Sequence, residues 1–178
     1  MSLDQWETFY RGGAIVTGPA GPDGGYDLEL RAAWVEFFST LPASARVLDI
    51  GTGNGAVPLI AKQAAQLQGY AWDIHGIDLA RIDPVRDVPN GAVRFAGIQF
   101  HPGVAAEKMP FADAHFDAVT GHYALEYSQT PAALAEIFRV LKPGGDAQFI
   151  VHHADSALIR SARQSLAECD LVLKETKL

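Results

Sequence analysis

The 178-residue sequence has a single cysteine, Cys169, and few basic residues. One cysteine excludes an intrachain disulfide and a zinc site built from several thiolates. Lys and Arg number 14 against 21 Asp and Glu, so the formal net charge is −7, which argues against binding a phosphate backbone. No apolar run is long enough to span a bilayer, and residues 1–10 lack the apolar core of a signal peptide. We therefore expect a cytoplasmic protein that acts on a small molecule and binds no nucleic acid, membrane or metal.

Length and a hydrophobic content of 48% fit one globular domain over residues 1–178. Residues 12–25 are rich in Gly and Pro and predict a loop, either a plain connector or a lid over a site. Tyr10 and Tyr26 flank this loop and are within reach of a bound ligand. We therefore treat residues 1–28 as an N-terminal segment with a candidate lid.

The stretch RVLDIGTGNG at residues 46–55 predicts a strand, a tight turn and the start of a helix. Glycine allows positive φ and lets a ligand approach the backbone closely. A Gly-x-Gly-x-Gly triplet alone is a weak signal, because nucleotide sites of several kinds share it. The stretch therefore predicts a cofactor site without identifying the cofactor.

Asp78 lies 23 residues after Gly55, at the end of the second predicted strand. A carboxylate there can accept hydrogen bonds from both hydroxyls of a ribose, as it does for NAD and for other adenosine-bearing cofactors. The alternative is that Asp78 only caps the next turn.

Alternating apolar segments and turn signals predict an α/β fold, a doubly wound and mostly parallel sheet with helices on both faces. Pro143, Gly144 and Gly145 are expected to end the helix predicted for residues 131–142 sharply. The predicted helices cover residues 30–41, 56–68, 131–142 and 156–174. The predicted strands cover residues 46–50, 70–78, 93–100 and 147–151, and a fourth in chain order, before the last of these, ends at about Tyr123.

Four motifs in order resemble those of class I S-adenosylmethionine-dependent methyltransferases of the small-molecule, type 11 kind. They span residues 45–152 and are VLDIGTGNG at 47–55, Asp78, MPF at 109–111 with FD at 116–117, and LKPGG at 141–145. The resemblance implies a Rossmann-like methyltransferase fold and S-adenosylmethionine as cofactor. It also implies methyl transfer to a small molecule by direct displacement.

The resemblance also implies which residues bind the cofactor. Asp49 and the loop would hold the methionine moiety, Asp78 the ribose, Leu79 and Met109 the adenine, and His122 would lie near the sulfonium. The family commonly has an Asp for the adenine amino group, but this chain has VAAE at residues 104–107, so recognition falls to backbone groups or Glu107. The implied cofactor-binding residues are Asp49, Gly51, Thr52, Gly53, Asn54, Gly55, Asp78, Leu79, Glu107, Met109 and His122.

The family usually adds an antiparallel hairpin at the C-terminal end, and this chain shows no room for one. Helical spacing from Leu158 to Leu173 fills the remaining residues. Either the chain is truncated, or the exposed sheet edge is covered in another way, for instance in a homodimer.

Methyl transfer depends mainly on alignment, so a catalytic base is needed only for a protonated nucleophile. No single residue is assigned that role. Three function classes stay open: a small-molecule methyltransferase, which we favour, a nicotinamide-dependent oxidoreductase, and a non-catalytic cofactor-binding protein. The candidate bases at the strand ends are His122, Tyr123, Glu126, His152 and His153.

Overall fold

The computed structural model describes residues 2–18, 20–21, 24–153 and 155–176. Helices and strands alternate over most of this length. The helices are α1 (Leu3–Arg11), α2 (Leu28–Ser39), α3 (Ala56–Leu67), α4 (Pro84–Asp87), α5 (Gly91–Arg94), α6 (Thr130–Val140) and α7 (Ala157–Thr176), with a 3₁₀ turn at Leu125–Tyr127. The strands are β1 (Arg46–Ile50), β2 (Asp73–Asp78), β3 (Ile98–Pro102), β4 (Phe116–His122) and β5 (Leu141–Ile150).

The five strands form one sheet in the order β3-β2-β1-β4-β5. Every strand pair in the described residues is parallel. Ile50 at the end of β1 pairs with Ile77 of β2 on one side and with Gly121 of β4 on the other. The chain moves outward from β1 to β3 and then returns to the other side of β1, so a crevice opens where the direction reverses. The predicted doubly wound parallel sheet is confirmed.

Successive side chains of β1 enter two different cores, because the side chains of a strand alternate between the faces of the sheet. Val47 packs with Trp34 of α2 and Ile60 of α3. Leu48 packs on the opposite face with Ile137 of α6. Helices therefore cover both faces, as the sequence predicts.

The third strand begins later than predicted. Residues 91–94 form α5, and β3 runs from Ile98 to Pro102 instead of residues 93–100. Asn90 takes a left-handed conformation with φ of 57°, and Gly91 packs against the backbone of Pro84, where a Cβ would lie 2.4 Å from the carbonyl oxygen. This tight turn starts a helix and delays the strand.

The helix predicted for residues 131–142 ends at Val140, and the fifth strand starts at Leu141. Leu141 pairs with Phe116, and the Lys142 ammonium donates to the Asp117 carboxylate at 2.8 Å. Gly144, with φ of 80°, lies inside the strand, at an irregularity in its register against β4. The glycines therefore bend a strand rather than end a helix.

Helix α1 is not among the predicted elements. The Ser2 backbone N–H donates to Gln5 Oε1 at 2.8 Å, which caps the first turn. The Trp6 and Tyr10 rings stack with their centroids 5.7 Å apart. The helix therefore presents aromatic side chains to the rest of the fold.

The helix predicted for residues 156–174 is confirmed as α7, which spans Ala157–Thr176. No antiparallel strand is found in the described residues, so the family's hairpin is absent from them. Homodimer formation along the exposed β5 edge stays a prediction. None of the described helices has both the length and the apolar character needed to cross a membrane.

Candidate active site

A cavity of about 290 Å³ lies at the carboxyl ends of β1, β2 and β4. Ligands bind at this edge in open parallel sheets. Its volume is close to the lower limit of small-molecule pockets, about 300 Å³. The cavity is lined by Leu3, Trp6, Tyr10, Ile15, Thr17, Tyr26, Ile50, Gly51, Thr52, Gly53, Asp78, Leu79, Ala80, Val104, Ala105, Ala106, Glu107, His122, Tyr123, Ala124, Tyr127 and Ser128.

The glycine loop is fixed against the end of β2. The Thr52 N–H donates to the Ile77 carbonyl at 2.9 Å, and the Gly53 N–H donates to Asp78 Oδ2 at 2.8 Å. Gly53 has φ of 50°, and a Cβ there would lie 2.6 Å from the Tyr10 ring. Only glycine fits this position without moving Tyr10.

Asp78 joins the loop to the turn that follows β2. Its Oδ2 accepts from the Gly53 N–H, and its Oδ1 accepts from the Ala80 N–H at 2.8 Å. A carboxylate has about four acceptor sites, so each oxygen keeps one for a ligand. Burial raises the pKa of Asp78, opposed by these two hydrogen bonds. Asp78, which lies 25 residues after Gly53 in sequence, therefore provides two hydrogen-bond acceptors at the cavity wall.

Asp49 lies beneath the loop and is only 2% exposed. It does not line the cavity in this structure. The Thr120 hydroxyl donates to Asp49 Oδ1 at 2.8 Å. The pKa of Asp49 is raised to about 7, mainly by burial; the hydrogen bond from Thr120 opposes the increase, and the nearby Asp78 carboxylate contributes to it. Asp49 is therefore only partly ionised near neutral pH, and a cation bound nearby would favour its charged form.

Asn54 points away from the cavity and holds the N-terminal segment. Its Nδ2 donates to the backbone carbonyls of Tyr10 and Ala14, each at 2.8 Å. Asn54 is fully buried, and its Oδ1 has no hydrogen-bond partner among the described residues. Gly55 is also outside the lining and is the N-cap residue that precedes α3. These two residues support the loop instead of facing the cavity.

The wall beyond β2 is mostly apolar. Leu79 is 56% exposed and lines the cavity together with Val104, Ala105 and Ala106. Glu107 also lines it, and one oxygen accepts from the Gln129 N–H at 2.6 Å.

Met109 does not line the cavity. It is 5% exposed, and its side chain packs in the core below, with Ile77 and Ile137. Its backbone N–H donates to Glu136 Oε1 at 2.7 Å. Val104 and Ala106, which pack against the same core, occupy the cavity wall in its place.

His122 ends β4 on the other side of the loop and lines the cavity. The Trp34 indole N–H donates to His122 Nδ1 at 3.2 Å, and the Tyr26 ring stacks on the imidazole with centroids 4.0 Å apart. His122 Nε2 is buried and has no hydrogen-bond partner in the part of the chain that the structure describes. Trp34 lies 88 residues away in sequence, and no sequence signal links it to His122.

The other candidate bases differ in position. Tyr123 lines the cavity with a positive φ of 53°, and His152 stacks on its ring with centroids 3.9 Å apart. Glu126 is exposed and accepts from the His152 N–H at 3.1 Å, and His153 is exposed. Tyr123 and His122 are therefore the two candidates at the cavity itself.

Carboxylates line the cavity, and no basic side chain of the described residues forms an ion pair with them. Asp78 and Glu107 are its acidic lining residues, and no Lys or Arg lines it among the described residues. Burial raises the pKa of the Tyr10 and Tyr26 phenols, so both stay neutral at physiological pH. The charge of the lining is therefore negative.

A family model described as a methyltransferase domain matches residues 26–172. A demethylmenaquinone methyltransferase from Chlorobaculum parvum is 34% identical over 108 residues, which is 59% of this chain and 40% of that protein. A ubiquinone/menaquinone biosynthesis C-methyltransferase from Xylella fastidiosa is 31% identical over 137 residues, 73% of this chain and 52% of that protein. The chain thus spans about half the length of these curated relatives.

A solved phosphoethanolamine N-methyltransferase from Haemonchus contortus, in complex with S-adenosyl-L-methionine, superposes with a TM-score of 0.61. It is 22% identical, and the match covers 99% of this chain and 44% of that one. At this identity the likeness concerns the fold.

Proposed function

The chain belongs to the methyltransferase domain family, and from this premise we propose that it transfers the methyl group of S-adenosylmethionine to a small, largely apolar acceptor. Bound S-adenosylmethionine supplies an electrophilic methyl group on a sulfonium, which a nucleophile displaces directly. The relatives named after quinone biosynthesis support an acceptor of that general kind.

The observation that carries the proposal is the Asp78 carboxylate at the cavity wall. Each oxygen already accepts one backbone N–H and keeps a free acceptor site. That arrangement fits the two hydroxyls of a ribose. Leu79 and the wall of residues 104–106 then offer an apolar surface for adenine, and Gly51 and Gly53 allow close approach of the methionine moiety.

The charge of the lining supports a sulfonium cofactor over a dinucleotide. A pyrophosphate would bring two negative charges into a cavity whose lining has Asp78 and Glu107 and no described Lys or Arg. A sulfonium and an ammonium group are instead stabilised by these carboxylates and by Asp49. The same reasoning disfavours acceptors that carry phosphate or carboxylate groups.

The residues around the cavity would contribute mainly alignment and exclusion of water. Besides the His122 imidazole, five tryptophan and tyrosine rings of the described residues line it: Trp6, Tyr10, Tyr26, Tyr123 and Tyr127. Flat apolar surfaces of this kind hold a ring-shaped acceptor in place and keep the reacting atoms dry. The N-terminal segment supplies three of the five, which supports its prediction as a lid.

The deciding experiment is isothermal titration calorimetry of the purified chain with S-adenosylmethionine, S-adenosylhomocysteine and NAD. We expect saturable binding of the two adenosyl compounds and none of NAD. Binding of NAD alone would replace the proposal with an oxidoreductase. Transfer of a labelled methyl group should then be measured on neutral phenols and quinols, with their carboxylated analogues as matched controls that we expect to react poorly.

The assignments to Asp49, Asn54, Gly55 and Met109 are kept in a narrower form. We propose that all four act from behind the wall, because they do not line the cavity. Asp49 would tune the charge, Asn54 and Gly55 would fix the loop, and Met109 would support Val104 and Ala106 from the core. A single domain over residues 1–178 and a cytoplasmic location stay predictions.

A further inference from the structure

The contact between Trp34 and His122 determines which nitrogen of the imidazole carries the proton. An indole N–H can only donate, so His122 Nδ1, at 3.2 Å from Trp34 Nε1, must be the acceptor and carries no proton. In a neutral imidazole the proton is then on Nε2. Trp34 is fully buried on α2, so this donor is held in position by the surrounding core.

The same contact prevents His122 from acting as a base. A second proton could bind only at Nδ1, which the Trp34 N–H occupies. The pKa of His122 is lowered to about 4, mainly by burial; the nearby His152 contributes to the decrease, and Asp27 opposes it. His122 therefore stays neutral at physiological pH, with Nε2–H as its free group.

His122 Nε2 has no hydrogen-bond partner in the described residues, although it is buried. A buried donor without an acceptor costs about 1–3 kcal/mol. The imidazole lines the cavity, and the Tyr26 ring, next to the glycine-rich loop, covers one of its faces. A ligand atom that accepts this hydrogen bond would remove the cost.

The position of His122 indicates which ligand that is. Asp78 and Leu79 lie at the end of β2, on one side of the glycine loop, and His122 and Tyr123 lie at the end of β4, on the other side. If the adenosine occupies the β2 side, the β4 side is left for the methyl group and the acceptor. The stacked Tyr26 and the neighbouring Tyr123 ring then face a ring-shaped molecule there.

We propose that Trp34 positions His122 so that its Nε2–H donates a hydrogen bond to a hydroxyl, phenolate or carbonyl oxygen of the acceptor. His122 is then a specificity-determining residue that selects oxygen-bearing rings, and Trp34 is a positioning residue. This inference rests on the proposed function, because it needs the cofactor on the β2 side. The acceptor oxygen keeps its hydrogen bond from His122 Nε2–H throughout the reaction, and no proton is transferred to His122.

The first test reads the tautomer directly, by long-range ¹H–¹⁵N correlation spectra of histidine-labelled protein. In the wild type we expect His122 as the Nε2–H tautomer, unchanged between about pH 5.5 and pH 8. Trp34→Phe keeps a ring in the core but removes the donor, and we expect it to give a mixture of tautomers. An Nδ1–H tautomer in the wild type would overturn the inference.

The second test measures binding of two probes, 1-naphthol and naphthalene, to protein saturated with S-adenosylhomocysteine. The wild type should prefer 1-naphthol, and His122→Phe should lose about 3- to 10-fold of that preference, which is the effect of one net hydrogen bond. His122→Gln keeps an N–H donor and should restore part of it. Trp34→Phe should reduce the preference without changing affinity for S-adenosylhomocysteine.

The outcomes separate the two proposals. An unchanged preference in His122→Phe, with normal S-adenosylhomocysteine binding, would refute the role of His122 and leave the methyltransferase intact. Failure of the wild type to bind S-adenosylhomocysteine would refute the proposed function, and with it the assignment of the acceptor. The His122→Phe measurement decides the matter even if Trp34→Phe does not fold.

Discussion

The buried carboxyl group of Asp49 should make the stability of the protein depend on pH, and Asp49→Asn tests this. Asp49 is 2% exposed, and burial raises its pKa from the ordinary 3.8 to about 7. The folded state therefore keeps this proton at pH values where the unfolded chain has released it. The contribution of Asp49 to stability is present at low pH and is lost as the pH rises from 3.8 through 7.

The magnitude follows from the shift in pKa. About three pKa units at about 1.4 kcal/mol each give a loss of about 4 kcal/mol across the titration. Asparagine keeps an oxygen for the Thr120 hydroxyl but has no charge to bury. The stability of Asp49→Asn relative to the wild type should therefore increase by up to about 4 kcal/mol between about pH 4 and pH 8.

Urea unfolding followed by circular dichroism at a series of pH values measures this difference. Other titrating groups cancel, because both proteins contain them. Asp117→Asn is a matched control of opposite sign. Burial raises the pKa of Asp117, but the Lys142 ammonium and the Arg46 N–H outweigh burial and hold this pKa below its usual value. Asp117→Asn should be less stable than the wild type at neutral pH and approach it in acid. For Asp49→Asn, a plot of unfolding free energy against pH that runs parallel to that of the wild type would refute the reasoning.

Three further changes test the candidate site. Asp78→Ala should weaken binding of S-adenosylhomocysteine by about 1.5–3 kcal/mol, the effect of a charged hydrogen bond, and unchanged affinity in calorimetry would remove Asp78 from the ribose site. Gly53→Val should abolish cofactor binding while circular dichroism shows a folded chain, because its Cβ would enter the space of Tyr10; normal binding would place the ligand elsewhere. Asn54→Ala removes both hydrogen bonds to the N-terminal segment and should speed hydrogen exchange in α1, lowering stability by about 1–3 kcal/mol. Unchanged exchange there would mean that packing of Trp6 and Tyr10 alone holds α1.

The central part of the fold could be predicted because local signals agree with tertiary contacts there. The apolar run before Gly51 forms β1, and Asp78 lies where its distance from the loop predicts, with a hydrogen bond from Gly53. The prediction starts the third strand too early because Val93 has a high β propensity. In the structure the turn at Asn90 and Gly91 places Val93 in a helix. Propensity over a few residues cannot anticipate that kind of packing.

The candidate site could be predicted only where it is built from one continuous segment. The loop at residues 51–55 and Asp78 have a fixed spacing, so the sequence reveals them. The bond between Trp34 and His122 joins residues from α2 and β4, and the wall formed by α1 depends on Asn54 reaching two backbone carbonyls. Contacts of this kind leave no periodic pattern and no fixed spacing in the sequence from which they could be predicted.

The negative lining of the cavity also bears on how the reaction would end. Methyl transfer converts a sulfonium cation into a neutral thioether, while Asp78 and Glu107 remain in place among the described lining residues. The carboxylates that attract the charged donor therefore lose much of their attraction for the spent form. We expect this change of charge to favour release of the thioether product and binding of a new sulfonium donor. The chemical step would therefore also promote exchange of the cofactor.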